Sequence, residues 1–264
     1  MEARSYDPGL ELTGSGPGLV LIPGIAGSDR MFYRQVPDLA REHRVATYAL
    51  RDDATSMAQL VDDLTAIVHA TTSARATGDT DRRATIIGES FGGALALSFA
   101  VARPELVREL VILNSFPCFL PQFRLHLAIA ALQVMPWGAM SLVRRLTAFR
   151  MHSGHTHADD IKRFLELTRD LSREGYIGRL RILTRYDVRE QLRDIRRPTL
   201  LLAAEQDHLV PSVQQARFMG ERIPDATVRV LEGHGHICLI AESLSLARLL
   251  REWRVSERRV GGSQ

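Results

Sequence analysis

One serine of this chain has the neighbours that a catalytic nucleophile needs. Residues 88–93 read G-E-S-F-G-G, so Ser90 stands between glycines. The run 84–87 favours a β-strand and the run 94–100 favours a helix. A serine on a sharp strand-to-helix turn projects above its sheet, and glycines are needed where a Cβ would strike the crowded backbone. The pattern therefore predicts a nucleophile elbow with Ser90 as the nucleophile.

A base for this serine is expected near the end of the chain. Residues 231–238 read L-E-G-H-G-H-I-C and follow an apolar run typical of a strand. A serine hydroxyl is a poor nucleophile at neutral pH without an adjacent base. We expect His236 to be that base, and His234 is the alternative.

An acid that could orient the histidine follows another predicted strand. The run 198–204 is apolar and ends in a polar turn that contains Glu205 and Asp207. A carboxylate in this position would hold the imidazole in the tautomer that accepts the serine proton. We expect Asp207 in this role, with Glu205 as its rival.

Backbone N–H groups are needed to stabilise the oxyanion that forms when a serine attacks a carbonyl. One is expected from Phe91, directly after the nucleophile and at the start of its helix. The other is expected from Ile25, in the Pro/Gly-rich turn 23–27 that follows the apolar run 19–22.

The order Ser90, Asp207, His236 resembles that of the α/β-hydrolase superfamily with a serine nucleophile. The superfamily pattern D-x-x-V-P matches residues 207–211 without a gap, and the matches together span residues 18–252. The pattern G-H-x-x-x-x-E fits only with one extra residue before Glu242. In one place the chain departs from its relatives: residues 51–56 read R-D-D-A-T-S, where many relatives carry a Gly-rich turn.

Apolar runs and helical patterns alternate along the chain, which predicts an α/β fold with a doubly wound, mostly parallel sheet. Residues 1–17 could add a hairpin. The predicted strands are 18–22, 44–49, 84–88, 107–113, 198–204 and 226–231. The predicted helices of the core are 29–42, 56–70, 91–103, 212–222 and 240–253.

One long segment interrupts the alternation, because more than 80 residues without a convincing strand separate the strand 107–113 from the strand 198–204. This is too long for a loop in a compact domain. The resemblance implies a helical lid over the active site. We therefore expect a hydrolase core at 1–116 and 195–264 and a lid at 117–194. The helical patterns in the lid are 123–135, 137–149, 158–173 and 176–194.

The lid is expected to supply an apolar substrate pocket. Residues 125–143 carry no formal charge. The sequence P-W-G at 136–138 favours two short helices over a membrane span, although flanking arginines could touch an anionic membrane surface. The residues expected to line the pocket are Leu127, Leu132, Met135, Trp137 and Met140.

Composition argues against several other classes of protein. The two cysteines, Cys118 and Cys238, are too few for a disulfide framework and lack metal-ligand spacing. Three histidines at 152–157 most resemble a solvated loop, so we expect no metal and no cofactor. The only lysine is Lys162, which disfavours Schiff-base chemistry. The chain shows neither a basic nucleic-acid-binding stripe nor a signal peptide, and we expect a cytoplasmic protein.

The sequence as a whole predicts a serine hydrolase that cleaves carboxylic esters with an apolar acyl or alcohol part through an acyl-enzyme. The same residues would also support a thioesterase, an acyltransferase or a C–C bond hydrolase. A hydrolase of the last kind with an acidic substrate would need an arginine in the pocket. A ligand-binding receptor built on a hydrolase scaffold is the alternative outside the enzymes.

Overall fold

The computed structural model describes residues 9–73, 81–119, 122–140, 142, 145, 153, 155 and 157–261, without the side chains of residues 122, 124, 137 and 257–261. The strands are β1 (Glu11–Thr13), β2 (Gly18–Ile22), β3 (Arg44–Thr47), β4 (Ala84–Glu89), β5 (Val107–Leu113), β6 (Thr199–Ala204) and β7 (Ala226–Leu231). The helices are α1 (Val36–Leu39), α2 (Met57–Thr71), α3 (Phe91–Ala102), α4 (Gln122–Val134), α5 (Ala158–Leu167), α6 (Arg173–Leu183), α7 (Ser212–Gly220) and α8 (Leu246–Gly261).

The strands form one sheet in the order β1-β3-β2-β4-β5-β6-β7. Only β1 is antiparallel to its neighbour, and the other pairs are parallel. The predicted α/β fold with a mostly parallel sheet is therefore confirmed. Strand β1 pairs with β3 and forms an antiparallel edge of the sheet, and the hairpin considered for residues 1–17 lies partly outside the described residues.

Helices cover both faces of the sheet, which explains why its central strands are apolar runs without alternation. Along β2, Leu21 packs in the same core as Trp253 of α8, whereas Val20 packs on the opposite face in the core that contains Phe99 of α3. Both strand residues are fully buried. The burial holds the carboxyl ends of the strands in a fixed arrangement.

Two of the helices predicted for the core, 29–42 and 240–253, begin or divide differently in the structure. The prediction of one helix over 29–42 is wrong: a 3₁₀ turn at Asp29–Phe32 precedes the short α1. Pro37 lacks the N–H that an upstream helix would need, and instead lies in the first turn of α1. The last helix begins at Leu246 rather than 240, because the Ser245 hydroxyl accepts a hydrogen bond from a backbone N–H of its first turn.

The segment between β5 and β6 contains α4, α5 and α6 and 3₁₀ turns at Trp137–Ala139 and Gln191–Asp194. Its two ends meet at an antiparallel bridge between Cys118 and Asp187. The helices predicted over 158–173 and 176–194 are present but have wrong bounds, since α5 ends at Leu167 and α6 spans Arg173–Leu183. Most of the predicted helix over 137–149 lies outside the described residues.

Candidate active site

Ser90 lies at the sharp turn between β4 and α3. Its φ of 54° is in the region that non-glycine residues rarely adopt. A Cβ on Gly88 would overlap the carbonyl group of Gly92, and a Cβ on Gly92 would overlap that of Ile22. The Ser90 N–H donates to the Leu113 carbonyl oxygen at 2.9 Å. The two glycines and this bond hold the strained turn, as the elbow pattern predicts.

His236 lies between Ser90 and Asp207. Its Nε2 is 3.2 Å from Ser90 Oγ, and its Nδ1 is 2.7 Å from Asp207 Oδ2. The imidazole is buried, and it follows β7 in a loop at the carboxyl end of the sheet. The tautomer with Nδ1–H donating to Asp207 leaves Nε2 free to accept the serine proton.

The surroundings of Asp207 favour its ionised form. It accepts backbone N–H groups of Leu209 and Val210 at 2.9 Å and the hydroxyl of Ser212. Burial by itself would raise the pKa of Asp207, but the charge of His236 and the hydrogen bonds that the carboxylate accepts outweigh burial and lower it. A carboxylate held in this way fixes one edge of the imidazole ring.

The pKa of His236 is raised above its ordinary value. Burial lowers it, but the charge and hydrogen bond of Asp207 and the nearby carboxyl of Glu89 raise it by more. The imidazolium that would form on taking the serine proton is therefore stabilised by two neighbouring acids.

The two alternatives to these residues lie elsewhere. His234 stacks on the ring of His155, with 4.7 Å between ring centroids, and burial lowers its pKa. Glu205 accepts the backbone N–H of Gly233 at 2.9 Å. Of the candidates, the structure brings His236 and Asp207 to Ser90.

The two residues expected to supply N–H groups to an oxyanion are both near Ser90: Phe91 follows it directly, and Ile25 lines the same cavity. Phe91 is the first residue of α3, so its N–H has no partner within the helix. Ile25 lies in the loop after β2 and lines the same cavity as Ser90. Within the described residues, neither N–H donates to a backbone carbonyl.

Arg179 of α6 binds the loop that contains Ile25 through hydrogen bonds. No feature of the sequence singled out this residue. Its side chain is 1% exposed. It donates to the carbonyl oxygens of Ile25 at 2.9 Å and Ala26 at 3.3 Å, and to Asp52 Oδ1 at 3.2 Å. Asp52 belongs to the segment 51–56 that departs from the superfamily pattern. This departure thus supplies the counter-ion of a buried arginine.

Asn114 and Ser115 join the strand ends around the site. The Asn114 side chain donates to the His236 carbonyl oxygen at 3.0 Å and accepts the Ala204 N–H at 2.8 Å. The Ser115 hydroxyl donates to the Ser90 carbonyl oxygen at 2.6 Å. These bonds connect β5 to the loops that carry the serine and the histidine.

A cavity opens above Ser90, between the strand ends and the segment that joins β5 to β6. Of the five predicted pocket residues, Met140 lines it, whereas Leu127 is 67% exposed and so does not face it. Leu132 and Met135 pack against the core instead. The prediction is therefore corrected for these three, and the side chain of Trp137 lies outside the described part. The same segment also contributes four lining residues that were not predicted: Phe164, Thr168, Leu171 and Tyr176.

The helical pattern does not tell which side of a helix meets the core, and this explains the error for Leu127. Within 125–143 every candidate is uncharged, so polarity cannot separate the cavity-facing residues from the others. Apart from Met140, the lining residues of the segment between β5 and β6 are Phe164 on α5, Tyr176 on α6, and Thr168 and Leu171 between these helices. The apolar spacing along the amphipathic α5 could have indicated Phe164, but it gives no signal for Thr168, Leu171 or Tyr176, which lie outside this helix.

Glu89, directly before Ser90, also lines the cavity. Its Oε1 is 3.7 Å from His236 Nε2, and its side chain is 13% exposed. Burial raises the pKa of Glu89 to about 7, against the opposing effect of His236. The elbow pattern leaves this position unspecified, so the sequence did not draw attention to it.

No group of three or more His, Cys, Asp or Glu side chains is placed to hold a metal ion in the described part of the chain. His157 is the N-cap residue of α5, and His152 lies outside the described residues. Cys118 and Cys238 are buried free thiols. No described helix has both the length and the apolar character needed to cross a membrane.

The chain matches the family model for the alpha/beta hydrolase fold over residues 17–243. It therefore belongs to the α/β-hydrolase family, as the order of its motifs indicated. Among curated relatives, it is 30% identical to a protein of Pseudomonas syringae pv. syringae assigned as the carbamate hydrolase RutD, over 89% of this chain and 92% of that one. It is 25% identical to the pimeloyl-[acyl-carrier protein] methyl ester esterase of Nitrosomonas europaea, over 86% and 91%.

Solved structures agree on the fold. The structure of MenH from S. aureus has a TM-score of 0.79 with 17% identity, covering 94% of this chain and 98% of that one. At 17% identity, this similarity supports the fold but not a shared function. Together with the named relatives, the family identifies the chain as a hydrolase.

Proposed function

We propose that the protein is a serine hydrolase that cleaves carboxylic esters with an apolar acyl or alcohol part through an acyl-enzyme. The observation that carries the proposal is the chain of contacts from Ser90 Oγ through His236 to Asp207, at 3.2 and 2.7 Å. These are hydrogen-bond distances for a nucleophile, a general base and an orienting acid.

The steps follow from these contacts. Ser90 Oγ attacks the ester carbonyl while His236 Nε2 takes its proton, and Asp207 stabilises the imidazolium. The N–H groups of Ile25 and Phe91 donate to the oxyanion. His236 then returns the proton to the leaving alcohol. A water molecule, deprotonated by the same histidine, cleaves the acyl-enzyme and releases the acid. The chemistry proposed requires no metal or organic cofactor.

We propose further that residues 117–194 form a lid whose inner face binds the apolar part of the substrate. Met140, Phe164, Leu171 and Tyr176 from this segment line the cavity over Ser90. The substrate is a small molecule, and its apolar group would be removed from water by these side chains.

The alternatives use the same residues with other substrates. The relatives' names put carbamates and methyl esters among the first compounds to test. Among described residues, no arginine lines the cavity, so nothing there favours a C–C bond hydrolase that binds an acidic substrate. A receptor without turnover would not require the contacts from Ser90 through His236 to Asp207, so these contacts favour an enzyme.

A series of p-nitrophenyl esters from acetyl to decanoyl, with a carbamate and a thioester added, tests the proposal. We expect kcat/KM to rise a few-fold per added carbon until the cavity is filled, since each buried methylene contributes about 0.8 kcal/mol. Phe164→Ala should flatten this rise, whereas Leu127→Ala, at an exposed site of the same segment, should leave it unchanged. The highest kcat/KM at acetyl esters, unchanged in Phe164→Ala, would contradict the proposed lid pocket. A lack of turnover on every ester would contradict the proposed function.

A further inference from the structure

The position of Glu89 relative to the reacting atoms is closely bounded. Glu89 Oε1 and Ser90 Oγ both lie near the same nitrogen, His236 Nε2, at 3.7 and 3.2 Å. The carboxyl oxygen is consequently within about 7 Å of the serine oxygen. This is the reach of a substituent a few carbons from the scissile carbonyl of a bound ester.

The other oxygen of the carboxyl, Oε2, lies close to Gly24. A Cβ on Gly24, at the start of the loop that carries Ile25, would come into close contact with Glu89 Oε2. The described residues offer the carboxylate no hydrogen-bond donor beyond the ion-pair contact with His236. Because Glu89 lines the cavity and His236 is the only described donor near its carboxylate, the carboxylate is available to interact with a molecule bound there.

No arginine or lysine lies near Glu89 among the described residues that line the cavity. The titratable groups that act on it are His236 and, behind the histidine, Asp207. Tyr176 is the other titratable side chain of the cavity wall. Arginine and lysine are both absent from the described lining, and the rest of it is apolar or neutral. An ionised Glu89 would therefore act on a substrate charge with little compensation from the wall.

We propose that Glu89 is a specificity-determining residue that favours esters with a positively charged group a few carbons from the scissile bond and disfavours esters with a carboxylate there. The inference rests on the proposed ester hydrolysis and adds the charge class of the substrate. The physical cause is the Coulomb interaction at a distance of a few ångströms in a cavity whose described lining is largely apolar.

Three methyl esters of similar shape measure the effect without labile leaving groups. They are methyl 4-(trimethylammonio)butanoate, the neutral methyl 5,5-dimethylhexanoate and the anionic monomethyl glutarate. For each, kcat/KM is measured with the wild type, with Glu89→Gln, and with the control Glu232→Gln. Glu232 is an exposed carboxylate of the loop after β7, so its removal changes the net charge equally but outside the cavity.

In the wild type, we expect the cationic ester to exceed the anionic ester at least tenfold in kcat/KM. The ratio should grow as pH rises through about 7, because Glu89 becomes ionised there. Glu89→Gln should reduce the ratio about tenfold and make it independent of pH, and Glu232→Gln should keep the wild-type ratio. The ratio cancels any loss that the variant imposes on all three esters alike.

A ratio that is the same in wild type and Glu89→Gln would overturn the inference, including the case in which all three esters lose activity equally. That result would leave ester hydrolysis intact. If the wild type hydrolyses none of the three esters nor any p-nitrophenyl ester, the proposed function fails and the inference fails with it.

Discussion

At the scale of single residues, the histidine assignment depends on which of two nearby rings meets the serine. His236→Ala should lower kcat by several orders of magnitude, because removing one member of a catalytic unit costs about as much as removing all of it. His234→Ala should have a mild effect, since this ring stacks on His155. The measurement is steady-state turnover of a neutral ester, with circular dichroism as the control for folding. Loss of activity in a folded His234→Ala protein alone would reverse the assignment.

The pH profile tests the partnership of His236 and Asp207. The base must be neutral, so kcat/KM for a neutral ester should rise with pH and reach half its maximum above about 6.5, the ordinary pKa of histidine. The shift is upward because Asp207 and Glu89 outweigh burial. Asp207→Asn should move this midpoint down and lower kcat about 10⁴-fold. Glu205→Gln, the matched control, should change neither.

A profile with its rising limb at or below the ordinary histidine pKa in the wild type would contradict this partnership. So would a crippled Glu205→Gln variant beside an active Asp207→Asn variant, which would make Glu205 the orienting acid.

At the scale of elements, α6 matters through one side chain. Arg179→Met keeps the aliphatic stem but removes the donors to the carbonyl groups of Ile25 and Ala26. We expect kcat to fall about tenfold to a hundredfold, with a smaller change in KM, because a displaced oxyanion donor stabilises the transition state less well. Arg179→Lys should recover part of the loss.

Arg181→Met is the matched control for this experiment, since Arg181 is exposed on the same helix. Its kcat should equal that of the wild type. An unchanged kcat in a folded Arg179→Met protein would show that the Ile25 loop keeps its position without α6.

The elements were predictable where burial alone decides them. Strands β2, β4, β5 and β6 are buried on both faces, and such strands appear in the sequence as continuous apolar runs. The helix predicted over 29–42 is divided into a 3₁₀ turn at Asp29–Phe32 and the short α1, which has Pro37 in its first turn. In a segment this short, the spacing of apolar residues does not distinguish a helix from a loop.

The site was predictable where its chemistry demands a residue type at a fixed spacing, as for Ser90. Glu89 and Arg179 escaped prediction for different reasons. The elbow pattern accepts any residue at position 89, so nothing marks this acid as facing the cavity. The partners of Arg179 are mostly backbone carbonyl groups more than 120 residues away in sequence, and only the fold brings them together.

At the scale of the whole molecule, the fold and family establish a hydrolase but do not select its substrate. The relatives carry names as different as carbamate hydrolase and methyl ester esterase, at 24–30% identity. Function on such a scaffold is determined by the cavity rather than the sheet. Here the cavity combines an apolar wall from residues 117–194 with one carboxyl beside the base.

Covalent labelling with a fluorophosphonate tests most directly whether Ser90 is the nucleophile. The native protein should gain the mass of one phosphonyl group, and peptide mapping should locate it at Ser90. His236→Ala should be labelled far more slowly, and Ser90→Ala and heat-denatured wild type should stay unlabelled. Labelling of Ser90→Ala at the wild-type rate, or of another residue in the native protein, would contradict the account.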